Sequence, residues 1–155
     1  MSTILVRPAR PEDATEIAEV HLAARRAAMP YLPKIHTDDE TWACVAQVVL
    51  PTPRVWVAES GGRVVGVAAL DGKMLEQLYV HPGEQGRGIG SDLLANAKAL
   101  SPSGLSLWTF QRNTRARAFY EQRGFTAIEF GDGSGNEEGK PDVLYRWIPA
   151  LPPRG

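Results

Sequence analysis

The stretch His81-Pro82-Gly83-Glu84-Gln85-Gly86-Arg87-Gly88-Ile89-Gly90 constrains this chain more than any other part of it. It follows Lys73 to Val80, a run that reads as a strand. Beyond Ser91, residues Leu93, Leu94, Ala97 and Leu100 recur at helical spacing. A helix that opens from such a turn leaves its first amides without internal partners. They point outward, the helix dipole adds positive potential, and glycines let a ligand approach the backbone. The guest that suits this place is a phosphate or diphosphate. The plain alternative is a turn that needs glycine only for its dihedrals, but Gly86, Gly88 and Gly90 at alternate positions exceed what one turn requires. A Walker loop needs a lysine before its Ser/Thr, whereas this one ends Gly88-Ile89-Gly90-Ser91. A dinucleotide loop needs G-x-G-x-x-G and an acid closing the next strand. Here the spacing is G-x-G-x-G, and the next strand ends Thr109-Phe110-Gln111-Arg112.

The rest of the chain suits one globular domain. It has 155 residues, 43% apolar and 23% charged, and we expect a single domain over 1–150 with a short tail over 151–155. Collagen, coiled coil and intrinsic disorder are excluded. A net charge of −1 argues against nucleic acid or an anionic membrane as the main partner. One cysteine, Cys44, forbids an internal disulfide and a thiolate cluster. His21, His36 and His81 are scattered, so no metal site is expected. The N-terminal residues show no signal peptide and no apolar run approaches the ~20 residues of a bilayer span, so we expect a soluble, cytoplasmic protein.

Periodicity and turn chemistry give the order β-αα-βββ-α-β-α-ββ, an α/β layered domain on a mostly antiparallel mixed sheet of about seven strands with four helices. The expected strands are Thr3 to Arg7, Arg54 to Glu59, Arg63 to Leu70, Lys73 to Val80, Leu105 to Phe110, Phe125 to Phe130 and Val143 to Ile148. Gly61-Gly62 and Asp71-Gly72 read as hairpin turns. The expected helices follow Pro11, run from Asp38 to Leu50, follow the glycine turn, and run from Asn113 to Gln122 with Gly124 as the cap.

In this frame the glycine turn resembles the coenzyme A pyrophosphate loop of the GNAT N-acetyltransferase superfamily, Gln/Arg-x-x-Gly-x-Gly/Ala, matched by Gln85, Gly88 and Gly90. Leu78-Tyr79-Val80-His81-Pro82 looks like the end of the family's fourth strand. Asn113-x-x-Ala116-x-x-Phe119-Tyr120-Glu121-x-x-Gly124-Phe125 looks like its second block, and Arg7-Pro8-Ala9 with Asp13-Ala14 like its opening. The resemblance implies a GNAT-like fold and transfer of an acetyl group from acetyl-coenzyme A to an amine, with no metal. It implies that the backbone of Leu78, Tyr79 and Val80 pairs with the pantetheine arm, that Gln85, Gly86, Arg87, Gly88, Ile89, Gly90 and Ser91 hold the pyrophosphate, that Asn113 bonds the arm, and that Tyr120 stands near the thioester sulfur. Ala116 and Phe119 belong to the same cofactor face. Many members dimerise, so the resemblance also carries a homodimer as an expectation.

The residues support these roles on their own terms. Asn113 and Tyr120 lie seven positions apart, on nearly the same helix face, with small Ala116 between them. Asn113 also suits a plain N-cap, and Tyr120 a core position. An alkylamine of pKa near 10 is only ~0.1% neutral at pH 7, so its deprotonation costs about 4 kcal/mol. Glu76, a carboxylate inside an expected central strand, is the candidate base, with pairing to an arginine, exposure by strand twist, or a chain of waters as alternatives. Acceptor candidates are Tyr31 and Trp108, and the acid-rich last loop with Asp132, Asn136, Glu137, Glu138 and Asp142, which together suggest a negative mouth for a small cationic amine. A protein N-terminus or lysine acceptor, and a non-catalytic acyl-coenzyme A sensor, are the alternatives.

Overall fold

A computed structural model describes residues 4–28, 54–136 and 138–149. Seven strands form one sheet: β1 (Ile4–Pro8), β2 (Arg54–Ser60), β3 (Arg63–Asp71), β4 (Met74–Val80), β5 (Leu105–Phe110), β6 (Thr126–Gly131) and β7 (Asp142–Trp147). Their order across the sheet is β1-β2-β3-β4-β5-β7-β6. Every neighbouring pair is antiparallel except β4 with β5. The helices are α1 (Ala14–Ala28), α2 (Ile89–Leu100) and α3 (Thr114–Glu121). This is the expected α/β layered architecture, with strand ends shifted by a residue. One turn differs in register: Asp71 pairs with Met74, so the second hairpin turns on Gly72-Lys73 rather than Asp71-Gly72. The expected helix from Asp38 to Leu50, Tyr31, Glu137 and the tail 151–155 lie outside the described residues. No helix among the described residues is long and apolar enough to cross a membrane.

The two faces of the sheet carry separate cores. On one face Ile17, Ala18 and Val20 of α1 pack on Val57, Val64 and Val67. On the other, Ile89, Leu93, Leu94 and Ala97 of α2 join Trp56, Leu70, Leu105, Leu107, Phe125 and Tyr145. The central strand β3 is therefore buried from Val64 to Leu70, which accounts for its unbroken apolar run. Gly66 sits where α2 crosses β3. A Cβ there would lie 2.9 Å from Leu93 Cδ1 and 3.0 Å from Ile89 Cγ2, so the missing side chain lets the helix seat closely. The Trp56 indole N–H donates to the Leu93 carbonyl at 3.3 Å, tying β2 to the same helix.

The start of α1 is pinned by charge. Arg7 on β1 donates to both oxygens of Asp13, at 2.9 and 3.0 Å, and to Glu59 Oε2 at 3.0 Å. Asp13 also accepts the Arg10 amide at 2.7 Å. The Arg7 bonds hold the Asp13 carboxyl below its ordinary value against the opposing effect of burial. A depressed carboxyl contributes stability above its unfolded value, near pH 3.9, and loses it as pH falls through the lower folded value. We expect Asp13→Ala to cost about 2 kcal/mol at neutral pH. Urea unfolding should show a gap to wild type that is flat from pH 5 to 8 and closes below about pH 4. A gap that persists unchanged in acid would disprove the ionic origin.

Candidate active site

A cleft of about 450 Å³ opens where β4 and β5 separate. The two strands pair at a single position, Met74 with Ser106, the Ser106 amide donating to the Lys73 carbonyl at 2.8 Å. Beyond that point each keeps its outer partner: β4 follows β3, and β5 follows β7 to Phe110. A bulge contributes to the splay. Gln77 pairs with Ala69 and Leu75 with Leu70, which leaves Glu76 as an extra residue without a partner. The bulge therefore breaks the side-chain alternation of β4 at Glu76. The carboxylate is not sunk in a sheet interior; it is exposed and lines the cleft.

The splay also frees backbone. The His81 amide donates to the Val65 carbonyl at 2.8 Å, which sets the phase of the β3 ladder. By alternation Tyr79 also faces β3, while the amides and carbonyls of Leu78 and Val80 face the gap toward β5. Among the described residues nothing on β5 pairs with them.

The glycine turn closes one end of the cleft. Gly86 and Gly88 take φ of +86° and +79°, and Gly88 is the left-handed N-cap of α2, with no side-chain cap. The first helical bond runs from the Asp92 amide to the Gly88 carbonyl at 3.0 Å, so the amides of Ile89, Gly90 and Ser91 have no intrahelical partner. A Cβ on Gly90 would lie 3.3 Å from the Phe119 ring, which brings α2 and α3 together there.

Helix α3 supplies the facing wall with Asn113, Ala116, Phe119 and Tyr120. Asn113 Oδ1 accepts the Ala116 amide at 3.2 Å, so it does cap the helix, and it lines the cleft as well. Tyr120 is only 8% exposed and packs against Phe119, Phe125 and Tyr145 at centroid distances of 5.2, 5.4 and 6.3 Å. It thus has both a core position and a cleft-lining one. Its hydroxyl has no protein hydrogen bond among the described residues. Burial, with a smaller contribution from Tyr79, pushes its pKa well above the ordinary phenol value, so it stays protonated at any physiological pH. Tyr79 also lines the cleft; burial raises it too, and the His21 ring stands edge-on to it at 4.6 Å. His21 shares a 3.2 Å hydrogen bond with Gln77 Oε1, and burial lowers its pKa despite that bond.

The structure therefore gathers Glu76, Leu78, Tyr79, Val80, Gln85, Gly86, Gly88, Ile89, Gly90, Ser91, Trp108, Asn113, Ala116, Phe119 and Tyr120 around one cleft. Arg87 is not among its walls: its guanidinium turns to Ser60 Oγ at 3.2 Å and pairs with Glu84. The described acidic and amide groups of the last loop have partners away from the cleft. Asn136 donates to Asp142 at 3.1 Å and to the Lys140 carbonyl at 2.8 Å, Asp132 accepts the Ser134 amide at 2.9 Å, and Glu138 pairs with Arg25 at 2.6 Å. None of these loop groups lines the cleft, because the loop spends its polarity on its own turns and on α1. Among the wall positions that sequence reasoning missed are Ala24, Leu107 and Arg123. Arg123 follows Tyr120 by three residues, so the helical spacing of Asn113, Ala116 and Tyr120 pointed to it. Ala24 gave no local signal; it arrives through the packing of α1 across the sheet.

The chain was compared with known proteins. The Acetyltransferase (GNAT) domain family matches residues 51–127. The probable N-acetyltransferase Rv2775 of Mycobacterium tuberculosis is 31% identical over 143 residues, 80% of each chain. The peptidyl-lysine N-acetyltransferase YjaB of Salmonella typhimurium is 34% identical over 100 residues, 64% of this chain and 67% of that protein. The crystal structure of the PaiA N-acetyltransferase from Thermoplasma acidophilum in complex with coenzyme A superposes with a TM-score of 0.72 at 17% identity, over 94% of this chain and 99% of that one.

The left-handed cap makes a prediction free of any ligand. A Cβ on Gly88 would meet nothing within 4 Å, so only the φ penalty acts. Gly88→Ala should cost about 1 kcal/mol and lower the thermal midpoint by about 3 °C. An unchanged midpoint would mean that the turn relaxes out of the left-handed region.

Proposed function

The chain belongs to the GNAT N-acetyltransferase superfamily and is an acetyltransferase, and on that premise we propose that it moves an acetyl group from acetyl-coenzyme A to a primary amine by direct attack in a ternary complex. The observation that carries this reading is the open seam between β4 and β5. The unpaired amides and carbonyls of Leu78 and Val80 suit a pantetheine arm, a chain with two amides, which would lie against them as an added strand. The free amides of Ile89, Gly90 and Ser91 suit its diphosphate. The neighbour solved with coenzyme A supports the same assignment. When bound, the cofactor supplies an activated acetyl thioester.

The residues divide the remaining work. Asn113 and Leu78 to Val80 hold the arm, and the outward amide of Val80 is a donor for an oxygen that gains negative charge. Tyr120 keeps its proton and has no internal partner to give it to among the described residues. Even an ordinary phenol near pKa 10 is a weaker acid than a thiol near 8.5, so full transfer to a formed thiolate is uphill by at least about 2 kcal/mol, and burial of Tyr120 adds to that. Tyr120 therefore acts as a hydrogen-bond donor that releases its proton as the sulfur leaves. Glu76, exposed on its bulge and facing the cleft, accepts the proton of the incoming ammonium.

For the acceptor we keep a cationic amine, and two observations favour lysine in a peptide as a second reading. A relative is named a peptidyl-lysine N-acetyltransferase. Trp108 lines the cleft yet is 45% exposed, an apolar platform at its mouth where a polypeptide would pass. A thiol-release screen with small amines, polyamines and lysine peptides separates the two. Binding without thiol release from any acceptor would leave a sensor of acyl-coenzyme A.

Acetyl-coenzyme A at 100 times its dissociation constant should stabilise the fold by about 2.7 kcal/mol. Tyr120→Phe should lower kcat by about 10² or more while calorimetry finds the cofactor affinity unchanged. Equal losses in both would remove Tyr120 from the chemistry. Glu76→Gln should lower kcat/KM for the amine at pH 7, with the deficit shrinking as pH rises toward the amine's own pKa near 10, where free base is abundant. A deficit constant across pH would assign Glu76 to binding instead.

A further inference from the structure

Arg123 has a role that its position after Tyr120 does not explain. It lines the cleft with its guanidinium stacked on Phe119, 3.8 Å from the ring centroid. Nη1 donates to the Phe119 carbonyl at 2.9 Å. Nε and Nη2 both donate to one atom, Ser91 Oγ, at 3.1 and 2.7 Å. A hydroxyl has two lone pairs and one proton. Arg123 takes both lone pairs, so the Ser91 proton is available only for donation, and nothing among the described residues accepts it. Two N–H groups of the guanidinium, one on each terminal nitrogen, are likewise unused.

The charge around this pair is one-sided. No carboxylate lies within ion-pair distance of Arg123 among the described residues, and Glu84, the acid on this part of the cleft wall, pairs with Arg87. A second cation stands nearby: the Lys98 ammonium donates to the Arg123 carbonyl at 2.7 Å. Ser91 belongs to the first turn of α2, beside the free amides of Ile89 and Gly90. An orphan hydroxyl proton, spare guanidinium N–H groups and open helix amides thus converge with no anion from the protein to meet them.

We propose that Arg123 is a cofactor-positioning residue: with the Ser91 hydroxyl it orients, it forms a paired donor for the diphosphate of coenzyme A. This rests on the acetyl-coenzyme A reading above. Arg123 acts partly through Ser91, by forcing the hydroxyl into the donor role, and partly by its own charge. Lysine could supply the charge but neither the fork nor the flat stack on Phe119.

Calorimetric titration of the full chain with coenzyme A and with 3′-dephospho-coenzyme A tests this. Arg123→Gln should raise Kd by about tenfold for both ligands, since both carry the diphosphate. Its Kd should also rise less steeply with salt than that of wild type. Ser91→Ala, which leaves the Phe119 stack intact, should weaken both ligands less, and the double variant should be no weaker than Arg123→Gln alone. If Arg123→Gln fails to fold, Ser91→Ala still decides. A Kd within twofold of wild type for that variant, or a loss seen only with the 3′-phosphorylated ligand, overturns the proposal. An unchanged salt dependence in a folded Arg123→Gln overturns it too, since a merely structural arginine would leave the slope alone. Wild type that binds no coenzyme A would instead sink the acetyl-coenzyme A reading itself. Wild type that binds while Arg123→Gln binds equally well sinks only the role of Arg123.

Discussion

The structure turns on one incomplete seam. A sheet ordinarily satisfies the backbone of its interior strands by pairing, and unpaired amides there are costly. Here β4 and β5 meet at Met74 and Ser106 and then part. Each strand is held on its other side, β4 by β3 apart from the bulge and β5 by β7, so the sheet survives the gap. The extra residue at Glu76 adds local twist at the point of separation. What remains is a strand edge in the middle of a domain, with its donors and acceptors facing a cleft rather than a neighbour. Such an edge is a ready partner for an extended chain of amides.

The rest of the domain serves that opening. The core beneath α2 fixes the helix over β3 through Leu93, Leu94 and Ile89, and the absence of a side chain at Gly66 sets how closely it sits. That seating places the first turn of α2 at one end of the cleft. Helix α3 follows from β5 and lays Asn113, Ala116, Phe119 and Tyr120 along the opposite wall. Phe119 touches both helices' business: it crowds Gly90 and carries the Arg123 guanidinium. The two ends of the cleft are therefore parts of one packing arrangement. Burial of Tyr120 among Phe119, Phe125 and Tyr145 is also what keeps its phenol protonated.

Much of the site was legible because its signals are local. Glycines at 86 and 88 announce left-handed backbone, and both adopt it. The spacing of Asn113, Ala116 and Tyr120 announces one helix face, and all three line the cleft. Glu76 was legible as a carboxylate that is paired, exposed or used, but the bulge that exposes it was not, since a bulge depends on the register of the neighbouring strand. The partners of the acidic last loop were not legible, because composition does not say where a side chain finds its partner. Glu138 finds it in Arg25, which is 113 positions away in the chain.

The sequence alone determined the order of elements, the class of ligand that the glycine turn invites, and which face of α3 lines the cleft. These rest on dihedral preference and helical periodicity, which act over a few residues. Only the tertiary structure decided that β4 and β5 separate, that Arg87 turns away while Arg123 turns in, and that Ser91 is left with a proton to give. Those outcomes depend on strand register and helix seating, which couple residues far apart in the chain, and no local pattern encodes such a coupling.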